Sequence, residues 1–418
     1  MRTKKQNTSF GSGTCYERRK VTTTEIAVLG VGMHKWGKFP GKTFVDIGVE
    51  AARNALDDSG IEWDEIQFLS GANTVRNGYP GWVSASTFAN ALGFQGCQIA
   101  SSYAACASGA TALSIARSQI LSGICEVALV IGADQVAKGM FAPVPGDRPN
   151  DVDWLRFRLM GLSNPAYFGM FARRRMALYG DTQDDFAAVK VKNSEHGSGN
   201  PNARYAKVFS IEDVNASPVV ADPLRLLEIC STSDGGAALV VSSLDYARKK
   251  GIKDPVKIAG ISTVSPTYPN AILDMPYFAS DSWHSVGNQH HTFKNQIAQH
   301  AYKEAEITPS DLDFAEVYDL SSAYELDWYE HIGLCEPGDA RNLLHNGDTK
   351  IGGKVPINAS GGLGAFGEAI PAQAIAQVCE LTWQLRGQAT GRQVDNARIG
   401  MSINYGMFGH GSSVIARI

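Results

Sequence analysis

The hydrophobic pattern opens with a run of Ile, Val and Leu in "TEIAVLGVGMHKWGKF" that ends in a glycine turn, which predicts a buried strand. "TFVDIGVEAARNALDDSGI" then spaces its apolar residues at helical intervals and closes with Gly60 just past the last turn, where glycine ends a helix most easily. "FLSGANTV" and "EVALVIGADQV" read as further apolar strands, with a helix beginning near Cys106 between them. Strand and helix alternate, so the expected fold class is α/β, with a mainly parallel or mixed sheet covered on both faces.

From about Ala137 to Pro223 the rhythm breaks. This stretch is richer in Pro, Asp, Asn and aromatics and its helices are amphipathic, so it reads as an inserted cap over the first half. "CSTSDGGAALVVSSLDYARKKG" restores a glycine turn, a strand and a helix. The second half begins near Val256 with "VKIAGISTV" and repeats the opening plan. There "IAQHAYKEAEITPSDLDFAEVYDL" parallels "IGVEAARNALDDSGIEWDEIQFLSG": a helix, a short Ile-led turn, an acidic pair and a strand. The expected organisation is a polar leader over residues 1–22, a first half over 23–250 with the cap at about 137–223, and a second half over 251–418. Two such halves packed face to face would bring their glycine-rich loops to one pseudo-two-fold axis.

Composition narrows the class. The 418 residues are 44% hydrophobic and 19% charged, as expected for a soluble chain with a sizeable core. The net charge of -4 and the lack of a basic stripe argue against a nucleic-acid partner. The short run Arg173, Arg174, Arg175 reads as a solvated helix face, or else as a contact for an anionic cofactor. Seven cysteines (Cys15, Cys97, Cys106, Cys125, Cys230, Cys335, Cys379) lie far apart without a CxxC or a Cys/His cluster, so no metal site and a reduced, cytoplasmic enzyme are expected. The leader "MRTKKQNTSFGSGTCYERRK" has no apolar core and reads as disordered, and no apolar run reaches the ~18 residues of a membrane span.

Four stretches hold candidate chemistry. In "YAACASGATAL", Cys106 stands at the start of a helix, whose positive end favours a thiolate; the alternative is a small core residue. In "ASGGLGAFGEAIPAQAIAQVCEL", glycines 361, 362, 364 and 367 form a loop that can present backbone N–H groups, with a helix from about Ile370. Glu368 at its mouth is either a general base with a raised pKa or a helix cap. In "SINYGMFGHGSSVIARI", a loop with Gly406, Gly409 and Gly411 separates two strands, and Tyr405, Phe408 and His410 have reach. In "AEVYDLSSAYELDWYE", Tyr318 meets a helix whose N-cap is read as Asp319, and a tyrosine there can exchange a proton in a dry pocket.

Together these segments resemble the thiolase superfamily, in particular its branch of sterol-carrier-protein-like thiolases and non-specific lipid-transfer proteins. "ACASGATAL" resembles the nucleophile motif, "PLRLLEICSTSDGGAALVVSS" the strand closing the first half, "EVYDL" the His-Asp or Asn-Glu motif, "SGGLGAFGEAIPA" the Ser-Gly-Gly loop and "NYGMFGHGSS" the terminal glycine loop. The resemblance implies a five-layer α-β-α-β-α fold of two duplicated halves and makes Cys106 the residue that takes the acyl group. Three positions depart from it. Glu368 stands where the family has the histidine that activates the cysteine, Tyr405 aligns with the second cysteine, and Tyr318 replaces the histidine of the His-Asp motif, as in retro-aldolases of the lipid-transfer branch.

The implied activity is an acyl-CoA acyltransferase that makes or cleaves a carbon–carbon bond through a Cys106 acyl-enzyme, with Glu368 as base and Tyr318 or Tyr405 serving the enolate. The alternative is a retro-aldolase that cleaves a β-hydroxyacyl-CoA with Tyr318 and Glu368; a carrier without turnover is the non-enzyme reading. Gly362, Gly367, Gly409, Gly411 and His410 are the expected substrate or oxyanion contacts. A CoA thioester is expected as substrate, with no tightly bound cofactor. The aromatic-rich stretch 266–293 points to a bulky or aromatic acyl group, with His284, His290 and His291 as alternative imidazoles. The implied partners are a second copy of the chain, as homodimer or tetramer, and a small protein pairing an OB-fold with a zinc ribbon.

Overall fold

The computed structural model describes residues 23–73, 84–135, 150, 155, 163–267, 293–406 and 409–418. The first half runs β1 (Ile26–Gly37), α1 (Phe44–Ser59), β2 (Phe68–Ala72), α2 (Ser84–Leu92), β3 (Gln98–Ser102), α3 (Ser108–Leu121) and β4 (Val127–Gln135). A segment of α4 (Asn164–Tyr179), α5 (Gln183–Ser198) and α6 (Ile211–Ala216) follows, with a small hairpin of β5 (Val219–Ala221) and β6 (Leu224–Arg225). β7 (Asp234–Ser242) and α7 (Leu244–Lys249) then complete the first half. The second half contains β8 (Val256–Val264), α8 (Phe293–Ala305), β9 (Phe314–Glu316), α9 (Ser322–His331) and α10 (Ala340–His345), and ends with α11 (Gly362–Phe366), α12 (Ile370–Leu385), β10 (Ile399–Gly406) and β11 (His410–Arg417).

The strands line up in the order β3-β2-β4-β7-β1-β8-β11-β10-β9. β2 runs parallel to β3 and β4, and β9 parallel to β10, while the other pairings are antiparallel, so the sheet is mixed. Among the described residues the two half-sheets meet where Ile26–Val28 of β1 pair with Val256–Ile258 of β8. β1 is buried at every position but Lys35, as a strand covered on both faces must be. α1 begins at a capping box in which Thr43 and Asp46 satisfy each other's backbone N–H groups, and it stops at Gly60 with φ +65°.

Helices and half-sheets form five layers. α1 and α2 cover the outer face of the first half-sheet, α3 and α12 lie between the two half-sheets, and α8 covers the outer face of the second. α12 is buried at every position except Trp383, which follows from its "AIPAQAIAQVCEL" start being apolar or small on all sides. Truncating the fully buried Leu381 in its C-terminal half to Ala would cost about 2–5 kcal/mol. The second half repeats the first: β8 and α8 stand where β1 and α1 stand, and α12 followed by β10 and β11 repeats α3 followed by β4 and β7.

Two expectations are corrected. Within its described residues the inserted segment packs largely on the second half, α5 lying against α9, α10 and α11 and α4 against α9, while Asn202 O accepts from Trp36 N of β1 at 3.0 Å. The arginine run is not one solvated face, since Arg175 is 2% exposed and ion-paired with Asp181 and Glu330, while Arg173 is exposed and pairs with Asp222. No helix among the described residues is long and apolar enough to cross a membrane.

Candidate active site

The turn that carries Cys106 is shaped by small residues. Ala105 takes φ +47°, a left-handed conformation that costs a residue with a side chain about 1–2 kcal/mol. Ser108 holds the turn closed, its Oγ donating to Ala105 O at 2.6 Å and accepting from Ala104 N at 2.9 Å. Cys106 therefore projects just ahead of α3, whose first residue is Ser108, and feels the positive end of that helix.

Glu368 arrives from the other half. Its backbone is clamped to the strand-like segment 231–233, with Glu368 N donating to Ser231 O at 2.7 Å and Ser233 N to Glu368 O at 2.9 Å. Gly367 precedes it at φ +71°, where a Cβ would lie 2.4 Å from Ser233 Oγ, so only glycine fits this turn. The carboxylate, with Glu368 only 1% exposed, does not cap α12, whose N-cap is Ala369. It accepts instead from Cys106 Sγ at 3.0 Å and from the Tyr318 hydroxyl, both on Oε1.

Tyr318 is fully buried, and its backbone carbonyl accepts from Trp328 Nε1 at 2.9 Å, which fixes the chain where β9 hands over to α9. Burial, with Cys106 and Glu368 close by, pushes its phenol well above the ordinary range, so Tyr318 stays protonated and acts as a donor. Cys106, Tyr318 and Glu368 thus form one hydrogen-bonded cluster built from three distant parts of the chain. A buried carboxylate between a thiol and a phenol can take a proton from either and return it.

The structure places the remaining candidates as follows. Tyr405 is buried in the same apolar cluster as Cys106 and Tyr318, its ring 5.5 Å from Phe293. Gly411 pairs with Tyr405 across the β10–β11 hairpin, Gly409 sits at its turn with φ +87°, and His410 is exposed. Phe408, His284, His290, His291 and Cys15 lie outside the described residues.

Hydrogen bonds correct two expectations. The N–H of Gly367 donates to Leu363 O at 2.7 Å and that of Gly362 to Ser360 Oγ at 3.1 Å, so these two serve the loop's own folding rather than an oxyanion. Asp319 is not the N-cap of α9, which is Ser321; it reaches the glycine loop, accepting from Leu363 N at 2.7 Å and Gly364 N at 3.1 Å.

Two further groups escaped the sequence reading. Cys230 joins the same cluster, and burial, then Glu368 and Asp319, push its thiol well above the ordinary range. It lies one residue before the Ser231 whose carbonyl anchors Glu368, a proximity that local sequence pattern does not reveal. Lys294 is buried with its Nζ 2.6 Å from Asp327 and 5.8 Å from the Tyr405 ring centre, a pairing that periodicity does not reveal.

The sequence matches two family descriptions, "Thiolase, N-terminal domain" over residues 26–245 and "Thiolase C-terminal domain-like" over residues 280–416. An acetyl-CoA acetyltransferase of Methanothermobacter thermautotrophicus is 32% identical over 93% of this chain and 98% of its own length. Human sterol carrier protein 2 is 32% identical over 93% of this chain and 71% of its own length. The benzoylsuccinyl-CoA thiolase subunit BbsB of Thauera aromatica is 32% identical over 89% of this chain and 91% of its own. Among solved structures, the Ltp2-ChsH2(DUF35) aldolase superposes with a TM-score of 0.77 at 26% identity, covering 94% of this chain and 98% of that one. The five layers, the duplicated halves and these matches agree: the chain belongs to the thiolase family of acyl-CoA acyltransferases, in its branch of sterol-carrier-protein-like thiolases and non-specific lipid-transfer proteins.

Proposed function

We propose that this protein makes or cleaves a carbon–carbon bond in a bulky or aromatic acyl-CoA, with Cys106 as nucleophile and Glu368 as its base. The observation that carries this reading is the 3.0 Å contact between Cys106 Sγ and Glu368 Oε1 in a buried site. Two helix N-termini, those of α3 and α12, face this pair and favour negative charge there.

In the cleavage direction Glu368 takes the thiol proton as Cys106 Sγ attacks the β-keto carbon of a 3-ketoacyl-CoA. The alkoxide collapses, the bond between the α and β carbons breaks, and its electron pair leaves on the shorter acyl-CoA as an enolate. That enolate takes back one proton, directly from Glu368 with Tyr318 beside it or from Tyr405, which Glu368 then reprotonates so that its carboxylate is free again. The thiol of a second CoA then attacks the Cys106 thioester, its proton passing through Glu368 to the departing sulfur. Backbone N–H groups of the Gly409–Gly411 turn are assigned to the oxyanion, each worth ~3 kcal/mol. The BbsB relative, named for a benzoylsuccinyl-CoA substrate, supports an aromatic acyl group. Its CoA thioester is a substrate, and no tightly bound cofactor enters the scheme.

A second reading is supported by the neighbour named as an aldolase and by the hydrogen bond from Tyr318 to Glu368. In it Glu368 removes the hydroxyl proton of a β-hydroxyacyl-CoA and Cys106 carries no acyl group. That neighbour's name joins two components, which supports a partner protein for this chain as well, and we assign a small OB-fold protein to that place. The half-exposed end strand β3 supports a homodimer built edge to edge. Product analysis separates the two chemistries. Two acyl-CoA products from a 3-ketoacyl-CoA plus free CoA, lost in Cys106→Ala, fit the proposal; an aldehyde or ketone from a β-hydroxyacyl-CoA, retained in Cys106→Ala, fits the alternative.

A further inference from the structure

Adjacent residues Tyr318 and Asp319 grip opposite ends of one loop. Tyr318 reaches Glu368 at the loop's far end, while Asp319 receives the N–H groups of Leu363 and Gly364 at its near end, together with Asn193 Nδ2 at 3.1 Å. The fit at the near end is close, since a Cβ on Gly362, at φ +59°, would stand 2.6 Å from Asp319 Oδ1. Lys190 closes the grip from α5, its Nζ donating to Gly364 O at 2.7 Å.

We infer that Asp319 is a positioning residue for the catalytic carboxylate: by seating the 362–366 turn it fixes where Glu368 stands relative to Cys106. Three residues separate the Phe366 end of that turn from the start of α12, and Gly367 N is bonded back to Leu363 O, so a shift at Leu363 is passed directly to Glu368. Tyr318 cannot accommodate such a shift alone, because its backbone is held by Trp328.

The surroundings of Asp319 fit a structural carboxylate held in a dry site. α5 contributes Lys190 and Asn193, α9 contributes Glu325 and Tyr329, β9 contributes Glu316, and Cys230 lies on the remaining side. Glu325 is held in turn by a fully buried ion pair with Lys192 at 2.7 Å and by Asn358 Nδ2 at 2.8 Å. Burial, then Glu325, push the Asp319 carboxyl up to about 7, and burial brings Lys190 down to about 8. Each backbone N–H on Asp319 opposes the upward shift, which is what keeps it an acceptor.

The inference rests on the assignment of Glu368 as the partner of Cys106, and its test reads that pair without requiring turnover. Asp319→Glu keeps the charge and displaces the carboxylate by one methylene. Cys106 alkylation by iodoacetamide is followed as a function of pH in wild type, Asp319→Glu and Glu368→Gln, beside kcat and KM. An anionic Glu368 at hydrogen-bond distance disfavours the thiolate, so Glu368→Gln moves the alkylation midpoint to lower pH. Asp319→Glu is expected to move it part of the way in the same direction and to lower kcat about 10²-fold with KM unchanged. A wild-type midpoint and wild-type kcat in Asp319→Glu would overturn the inference even if the acyltransferase assignment stands. If Asp319→Glu fails to fold, Lys190→Met, which releases Gly364 O, must shift the midpoint in the same direction; an unchanged midpoint there overturns it equally.

Discussion

Cys106 and Glu368 occupy equivalent places in the two halves: each lies two residues ahead of the first residue of a central helix, Ser108 in α3 and Ile370 in α12. The duplication thus accounts for their meeting. Two corresponding helices packed side by side between the half-sheets point both N-termini at one spot, and the residue leading into each helix supplies one partner of the 3.0 Å thiol–carboxylate contact. The two helix ends contribute a positive field around the pair.

Replacing Glu368 by Gln removes the proton carrier while keeping the shape of the loop. The expected loss in kcat is about 10²–10⁴-fold, with KM for the acyl-CoA little changed, as steady-state kinetics would read. A change confined to KM would contradict the role given to this carboxylate.

Tyr318→Phe deletes the phenol that donates to Glu368 Oε1. That donor fixes the orientation of the carboxylate, so its loss is expected to lower kcat about 10-fold with KM for the acyl-CoA little changed, as steady-state kinetics would read. Because burial keeps the phenol itself well above its ordinary value, wild type should show no inflection from Tyr318 below pH ~10.

Gly367→Ala tests the turn that presents Glu368. The added Cβ meets Ser233 Oγ at 2.4 Å and Ser231 O at 2.7 Å, at a φ of +71° that side chains avoid. A loss of about 1–3 kcal/mol in a denaturant titration is expected, together with a fall in kcat beyond what the lost stability explains.

Among the described residues the end strand β3 pairs only with β2, and it leaves Ile99 42% and the following Tyr103 50% exposed. Ile99→Asp is expected to convert a dimer to a monomer in light scattering, since two like charges would face each other across the paired edges. An unchanged mass would contradict the proposed edge-to-edge homodimer.

Much of the fold was legible because its strands are continuous apolar runs. β4, β7 and β8 fall within the stretches "EVALVIGADQV", "DGGAALVVSS" and "VKIAGISTV". Gly60 closed α1 as expected. Cys106, Tyr318 and Glu368 were each visible as polar groups beside small or apolar neighbours, but their meeting depends on how two halves pack, which local pattern does not encode. For the same reason Asp319 read as the cap of the helix next to it, while its oxygens reach a loop 44 residues away in sequence. The inserted segment misled because amphipathic helices such as α5 reveal which face is apolar and not which half of the molecule receives it.

The central claim is that Cys106 carries the acyl group, and intact-mass spectrometry tests it most directly. Wild type and Cys106→Ala are incubated with short-chain, aromatic and steroidal acyl-CoA thioesters, with and without an OB-fold partner, and weighed before turnover is complete. The expected result is an acyl-sized increase in wild type that is absent in Cys106→Ala. Unmodified wild-type protein that nevertheless releases an aldehyde or ketone from a β-hydroxyacyl-CoA would contradict it and assign the chemistry to Glu368 and Tyr318.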